Sequence, residues 1–231
     1  RKIVCSATYR RDSASSAAQG DAQRIDPEAR LLWRRSTGRM EAEVVRDSLL
    51  SIAERLDRRM GGEEFENSAA FASLRRSLYF SCQPEGDGRS EFGALFDAPD
   101  PLQCYRRTRT VMPQQALALT NSELVHDLSR RVAERLWLEI GLTDDRPESS
   151  ERQRRFVASA FETVLGRLPL ESEAAVCLEF LSASGAAVDE SAAAIDGSGA
   201  EHNSATVDPD ERQRAGLIRV LWNHHEFVTI R

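Results

Sequence analysis

The sequence predicts a mainly α fold, an irregular helical domain with long loops and at most one or two short strands. Three observations predict it. Apolar residues recur at steps of three and four in several stretches, which places them on one face of a helix. Cap and stop residues bound those stretches. Between residues 60 and 112 no such period holds, and Pro, Gly and Asp are dense there.

Taken in order, residues 11–24 are rich in Ser, Ala, Gln and Asp and read as a loop. Asp26-Pro27 reads as a helix start, with Asp26 as cap and Pro27 at the first helical position. Leu31, Leu32 and Trp33 follow, and Gly38 interrupts. Ala42, Val45, Leu49, Ile52 and Leu56 make the clearest helical face, and Gly61-Gly62 is the expected stop. Leu78 to Cys82 reads as a short strand. Residues 84–110 read as irregular, since Asp97-Ala98-Pro99-Asp100-Pro101 forces extended or turn geometry.

Pro113 opens a short apolar helix through Leu119. Thr120-Asn121-Ser122-Glu123 has capping-box spacing, and Leu119 with Leu124 can form a hydrophobic staple. A tight turn therefore leads to a helix over about 121–140 with Leu128, Val132, Leu136 and Ile140 inward. A further helix carries Val157, Phe161 and Val164 and stops at Gly166. Another follows Pro169 with Val176, Phe180 and Leu181. The last starts at Asp208-Pro209-Asp210-Glu211 and carries Ile218, Leu221 and Trp222 to about His224. Residues 185–209 hold no Arg, Lys or aromatic residue. They read as a disordered acidic, Ala-Ser-Gly insertion that cannot offset its ordering entropy. The organisation expected is one mostly helical domain over 1–184 and 210–231. It is read as the C-terminal fragment of a larger protein, because the chain opens at Arg1-Lys2-Ile3 without Met or a signal peptide.

Composition excludes several function classes. The 231 residues are 41% apolar and 29% charged, with a formal net charge of −6. No apolar run approaches the ~20 residues a membrane span needs. Residues 1–110 hold 19 basic and 17 acidic residues, and 111–231 hold 12 and 20, so neither half makes a nucleic-acid patch. Lys2 is the only lysine among the 31 basic residues. Cys5, Cys82, Cys104 and Cys177 have no C-x-x-C spacing, which argues against zinc and haem attachment here and leaves their pairing open.

Few residues invite chemistry. Arg39, Glu43 and Arg46 form a stripe at i, i+4 and i+7 with Asp47 beside it. Such a stripe could hold an anionic or sugar-like ligand through bidentate Arg bonds. It equally suits ordinary ion pairing, or the pinning of nearby loops. Arg75-Arg76 and Arg106-Arg107-x-Arg109 flank the irregular region and could meet Asp97 and Asp100, as a carboxylate or sulfate site or as loop anchors. Gln114, Gln115 and Asn121 lie at the helical turn, where a buried amide must find partners. His224-His225-Glu226 is a poor chelate, because adjacent residues on a helix point apart. No nucleophile elbow, zincin motif, P-loop or dinucleotide fingerprint occurs.

Several strings match one family in order along nearly the whole chain. Ser6-Ala7-Thr8-Tyr9-Arg10 resembles S-x-T-Y-R, and Asp26 to Arg34 resembles D-P-E-N-R-L-L-W-R. Glu41 to Leu50 resembles the L-x-A-E-x-I-R-D-x-L helix, with Met60-Gly61-Gly62 after it. Arg76-Ser77-Leu78-Tyr79 resembles R-R-S-x-Y, and Phe96 to Asp100 resembles F-D-x-P-D. Thr110 to Leu117 resembles T-x-x-P-x-Q-A-L, with Asn121 after it. Leu165 to Pro169 resembles L-G-R-x-P, and Trp222 to Phe227 resembles L-x-N-x-x-E-F. Together the strings resemble domain of unknown function 1553, the C-terminal domain of large planctomycete-type, cytochrome c-associated proteins.

The resemblance implies an exported multidomain protein, periplasmic or extracellular. It implies a preceding domain of unknown function (1549) and, in many relatives, haem c in an N-terminal domain. It implies no established activity. The expected function is a non-catalytic scaffold and interaction domain whose partners are the preceding domains of the same chain. The alternatives are a polysaccharide or anion site completed by the preceding domain, and docking to a c-type cytochrome domain. Neither nucleic acid nor a cofactor within this segment is expected. The chain departs from the family pattern at Ser81-Cys82-Gln83, where relatives carry an Arg. It also departs at Leu170, where a capping Thr is usual, in the short stretch after Gly62, and in the long linker 185–209.

Overall fold

The structure is a computed structural model of the chain and describes residues 2–13, 20–81, 90–99, 102, 110–142, 149–183 and 208–230. Among the described residues the fold is mainly α, with one small two-stranded sheet. The α-helices are α1 (Gly20–Ile25), α2 (Ala42–Ile52), α3 (Glu91–Leu95), α4 (Pro113–Asn121), α5 (Glu123–Leu142), α6 (Ser149–Leu165), α7 (Glu171–Ser182) and α8 (Pro209–Asn223). The strands β1 (Gly38–Arg39) and β2 (Thr229–Ile230) pair antiparallel, with Gly38 opposite Ile230 and Arg39 opposite Thr229.

The core is a helical layer centred on α5 and α8. Leu128, Val132, Leu136 and Ile140 of α5 are buried, as their spacing predicts, against Ile218, Leu221 and Trp222 of α8. Val157, Phe161 and Val164 of α6 close one side, and α4 closes another. Each such side chain contributes about 1.5–3 kcal/mol by leaving water. Helix α2 joins this layer through Val45, Leu49 and Leu50, which are wholly buried. Of Val176, Phe180 and Leu181 on α7, only Leu181 is buried.

Five local expectations are corrected, and residues 20–24 of the stretch expected to be a loop lie in α1. Asp26 does not start a helix; α1 ends just before it. Its carboxylate instead accepts the Arg30 and Leu31 N–H groups at 3.0 and 2.7 Å. Ala29 and Leu32 sit at φ +55° and +59°, which folds 26–33 into a tight turn. Leu78 to Cys82 is not a strand; Ser77–Tyr79 is a 3₁₀ turn, and Phe80 then makes one bridge to Phe65. Cys82 itself lies outside the described residues, as does Cys104. Residues 84–110 are not wholly irregular, since Ser90 caps α3 by accepting the Gly93 N–H at 3.0 Å. Its Phe92 and Phe96 stack 4.6 Å apart.

The fourth correction is the end of α2. The helix stops at Ala53 rather than Gly61, so Leu56 lies beyond it. Glu54 takes φ +56°, its N–H reaches Ser51 O, and the Arg55 N–H reaches Leu50 O at 2.8 Å. This is a Schellman ending with a glutamate at the position glycine normally fills. At the α4–α5 turn, Ser122 rather than Thr120 caps, accepting the Val125 N–H at 3.4 Å. Pro209 opens α8 behind an Asp208 cap, as expected. The rest of the 185–209 insertion lies outside the described residues.

A clamp fixes the end of the described chain. Arg167, after α6, grips both oxygens of Glu173 at 2.7 Å and reaches Glu226 at 2.8 Å. Glu173 also accepts the Leu170 N–H at 2.7 Å, so it replaces the missing threonine cap. The Arg167 and Leu170 hydrogen bonds hold the Glu173 carboxyl down at about 2, against an ordinary 4.5.

Two predictions follow from these ends. Glu54→Gly raises stability by about 1 kcal/mol, because it relieves a left-handed non-glycine residue and removes only an exposed pair to Arg135. Urea unfolding measures it, and a loss of stability would show that the pair matters more. Glu173 favours the folded state when ionised. Its contribution is therefore complete above about pH 4.5 and declines as pH falls toward 2. A Glu173→Gln variant should show a flatter loss of stability than the parent across that window.

Candidate functional site

The polar residues singled out in the sequence gather where α2 meets the loops on either side of it. Helix α2 presents Val45 and Leu49 to the core, and Arg46 next to them turns toward residues 70–77. The guanidinium is 1% exposed. Arginine has five N–H donors in a rigid fork, and here they all find acceptors. Nε donates to Ala70 O at 3.1 Å, and Nη2 donates to Ala70 O at 2.9 Å and to Ser73 O. Nη1 donates to Arg75 O at 2.9 Å and to Ser77 Oγ at 3.2 Å. Asp47 lies 3.4 Å from Nη1 and takes the Ser77 N–H and Oγ–H at 2.9 and 2.7 Å. The Phe80 ring covers the group at 5.1 Å. Burial pushes the Arg46 pKa down, and Asp47 opposes that shift.

A second knot forms at Gln115, the third residue of α4. Its side chain is nearly inaccessible and donates to Leu95 O at 2.7 Å and Thr110 O at 3.3 Å. Its oxygen accepts from Arg39 Nη2 at 2.5 Å and from the Met112 N–H at 3.4 Å. Asp97, at φ +60°, accepts the Thr110 N–H and hydroxyl at 2.7 and 2.8 Å. The loop between α3 and α4 is thus held at both of its described ends.

A third knot joins two family strings. Tyr79 Oη accepts the Gly61 N–H at 2.7 Å, which lowers the phenol's pKa. Arg75 stacks on the Tyr79 ring at 3.9 Å and donates to Gly61 O and Glu63 O. Gly61 and Gly62, at φ +76° and +91°, supply the turn that brings these groups together.

Between α2 and these loops lies a cleft of about 600 Å³. Val44, Leu56, Leu78 and Phe80 give it apolar walls, and Glu43, Ser48, Ser51 and Arg76 line it with polar groups. A smaller cavity of about 540 Å³ sits beside Arg39 and Asp97. No His lines the 600 Å³ cleft among the described residues, and both Asp47 oxygens already accept from Ser77. Nor do the described residues hold three metal-ligating side chains in one group.

The stripe read from the sequence is therefore divided. Arg39 belongs to β1, not to the helix; Glu43 faces the cleft; Arg46 is buried among loop carbonyls rather than placed at the helix edge. Asp97 pairs with Thr110. Arg106, Arg107, Arg109 and Asp100 lie outside the described residues. Asn121 is exposed at the end of α4, and the amide that ties down that helix is Asn223, which donates to Ala116 O and Thr120 Oγ at 3.3 and 2.8 Å. Sequence reasoning missed Arg167, Glu173 and Glu226. The signal was present, because Arg167 and Glu226 each stand in a family string.

The family model described as PSD1, a protein of unknown function (DUF1553), matches residues 1–181. No curated protein and no solved structure matches the chain.

Breaking the central knot should cost far more than a surface change. Arg46→Met leaves Asp47 and three carbonyls without their cation, and stability should fall by about 3–5 kcal/mol. Amide exchange should quicken first over residues 69–81, with α5 and α8 still protected. Equal loss of protection in all helices would sink the idea that Arg46 acts through this loop.

Proposed function

The chain belongs to the PSD1 family, proteins of unknown function (DUF1553), and on that premise we propose that it is a non-catalytic scaffold and interaction domain of an exported multidomain protein. The observation that carries this reading is the saturation of Arg46. The arginine of the Glu41–Leu50 string spends every donor on its own chain. A group so engaged cannot also bind substrate without losing the loop it holds. Gln115, Asp97, Tyr79 and Arg167 support the reading in the same way. They fix loops and ends in place, and a fixed loop surface loses little entropy when a neighbouring domain docks on it.

A second reading takes the 600 Å³ cleft as a ligand site, since a mostly apolar cleft with a few polar groups is the usual form of one. Glu41, Glu43 and Asp47 line it against Arg46 and Arg76, so a neutral polysaccharide segment suits it better than an anionic one.

Hydrogen exchange on the chain alone and on the longer protein separates the two. The scaffold reading expects residues 57–81 or 90–99 to gain protection in the longer protein; no gain anywhere would remove it. A glycan array with the parent and Glu43→Gln tests the second. Binding that the variant loses at unchanged stability would establish the cleft as a site.

A further inference from the structure

The first 35 residues differ in charge from the rest of the chain. They carry eight basic and four acidic residues, a net of +4, while the remaining 196 carry a net of −10. Lys2, Arg10, Arg11, Arg24 and Arg30 are all exposed. The same stretch displays large aliphatic side chains to water. Leu31 is 77% exposed, Leu32 57%, Ile25 71% and Ile3 77%.

Leu31 and Leu32 are not on a loose tail. Asp26 is buried and holds the backbone of Arg30 and Leu31, and the Trp33 indole N–H donates to Asp26 O at 2.6 Å. Arg11 donates to Leu32 O at 2.7 Å, the Arg35 N–H donates to Asp12 O at 3.1 Å, and Arg35 covers the Tyr9 ring at 5.1 Å. Residues 9–12 are thereby laid along 32–35. Leu32 keeps a left-handed backbone at φ +59° that leucine disfavours, and the turn so made points two leucines outward. Hydrophobic burial explains the core of the molecule, but it does not explain a strained turn that exposes leucine.

From this we propose that residues 24–35, with residues 9–12 beside them, form a face that docks on an anionic lipid surface. Exposed aliphatic side chains enter the headgroup boundary, and the surrounding arginines meet lipid phosphates. Neither contribution suffices alone. Aliphatic knobs without cations bind lipid weakly, and cations without knobs bind in a way that salt removes. The charge of the other 196 residues orients the molecule, because it repels the same surface. No described helix is long and apolar enough to cross a membrane, so the contact is peripheral.

Co-sedimentation with phosphatidylcholine vesicles, with and without 30% phosphatidylglycerol, tests it. The parent should pellet at least tenfold more with the anionic vesicles, and less as salt rises from about 50 to 300 mM. Leu31→Asp should lose at least tenfold, and Arg24→Ser with Arg30→Ser should lose a comparable amount. Val176→Asp, which changes an exposed aliphatic residue of α7, should pellet like the parent. Circular dichroism confirms that each variant is folded. Equal binding to neutral vesicles, or parental binding by Leu31→Asp, overturns the proposal. So does a parent that ignores vesicles but is a dimer in light scattering and becomes a monomer on Leu31→Asp. In that case the face belongs to a second copy of the chain.

Discussion

A buried guanidinium that must find five acceptors organises the junction between α2 and residues 70–80. Residues 57–81 contain almost no regular structure, so their carbonyls have no ladder to join. Unpaired carbonyls are costly away from water. Arg46 answers both needs at once: the loop supplies oxygens that the cation requires, and the cation supplies donors that the loop lacks. Asp47 completes the exchange by taking the Ser77 N–H and hydroxyl. The loop conformation and the Arg46 rotamer are therefore one hydrogen-bonded unit.

The same device recurs at Arg39, Arg75 and Arg167. The planar fork joins groups 76 residues apart for Arg39 and Gln115 and 59 apart for Arg167 and Glu226, and Arg75 spans 12 and 14 residues to Glu63 and Gly61. Lysine could not replace these residues, since its ammonium is a point charge without the fork that meets two acceptors in one plane. The near absence of lysine has a physical use at these positions, whatever set it elsewhere. Arginine stems also cover aromatic rings, as Arg152 and Arg214 do on Trp137 at 4.0 and 4.3 Å.

What could be read from the sequence was the part that depends on local periodicity. The inward faces of α5, α6 and α8 follow from spacing alone, and so does the Asp208-Pro209 start. The failures share a cause. Ala29, Leu32 and Glu54 adopt left-handed backbone without being glycine, and no local rule marks them; Asp97 does so as well, in a region aspartate enters more readily. Asp26 looks like a helix cap because its acceptor geometry is the same in a turn. Tyr79 and Phe80 have strand-forming side chains, yet the nearby Asp47 and Gly61 draw Ser77 and Tyr79 into a 3₁₀ turn. The polar cluster was identified as residues but not as a geometry. Whether Arg46 faces solvent or carbonyls depends on a loop 24 to 31 residues away, which a helical projection does not contain.

The pairing of β1 with β2 has a bearing on how the chain reaches this state. Gly38 and Arg39 wait for Thr229 and Ile230, and the Met40 N–H waits for Val228 O. On a ribosome those early residues remain without strand partners until about 190 more have been made. Closing so long a segment costs entropy that grows only as the logarithm of its length, so the penalty is bearable once the intervening helices have condensed and shortened the gap. Helical assembly first and strand closure last is the order this topology favours. In the meantime the stretch before α2 keeps unpaired N–H and C=O groups, which can pair with another chain as readily as with β2.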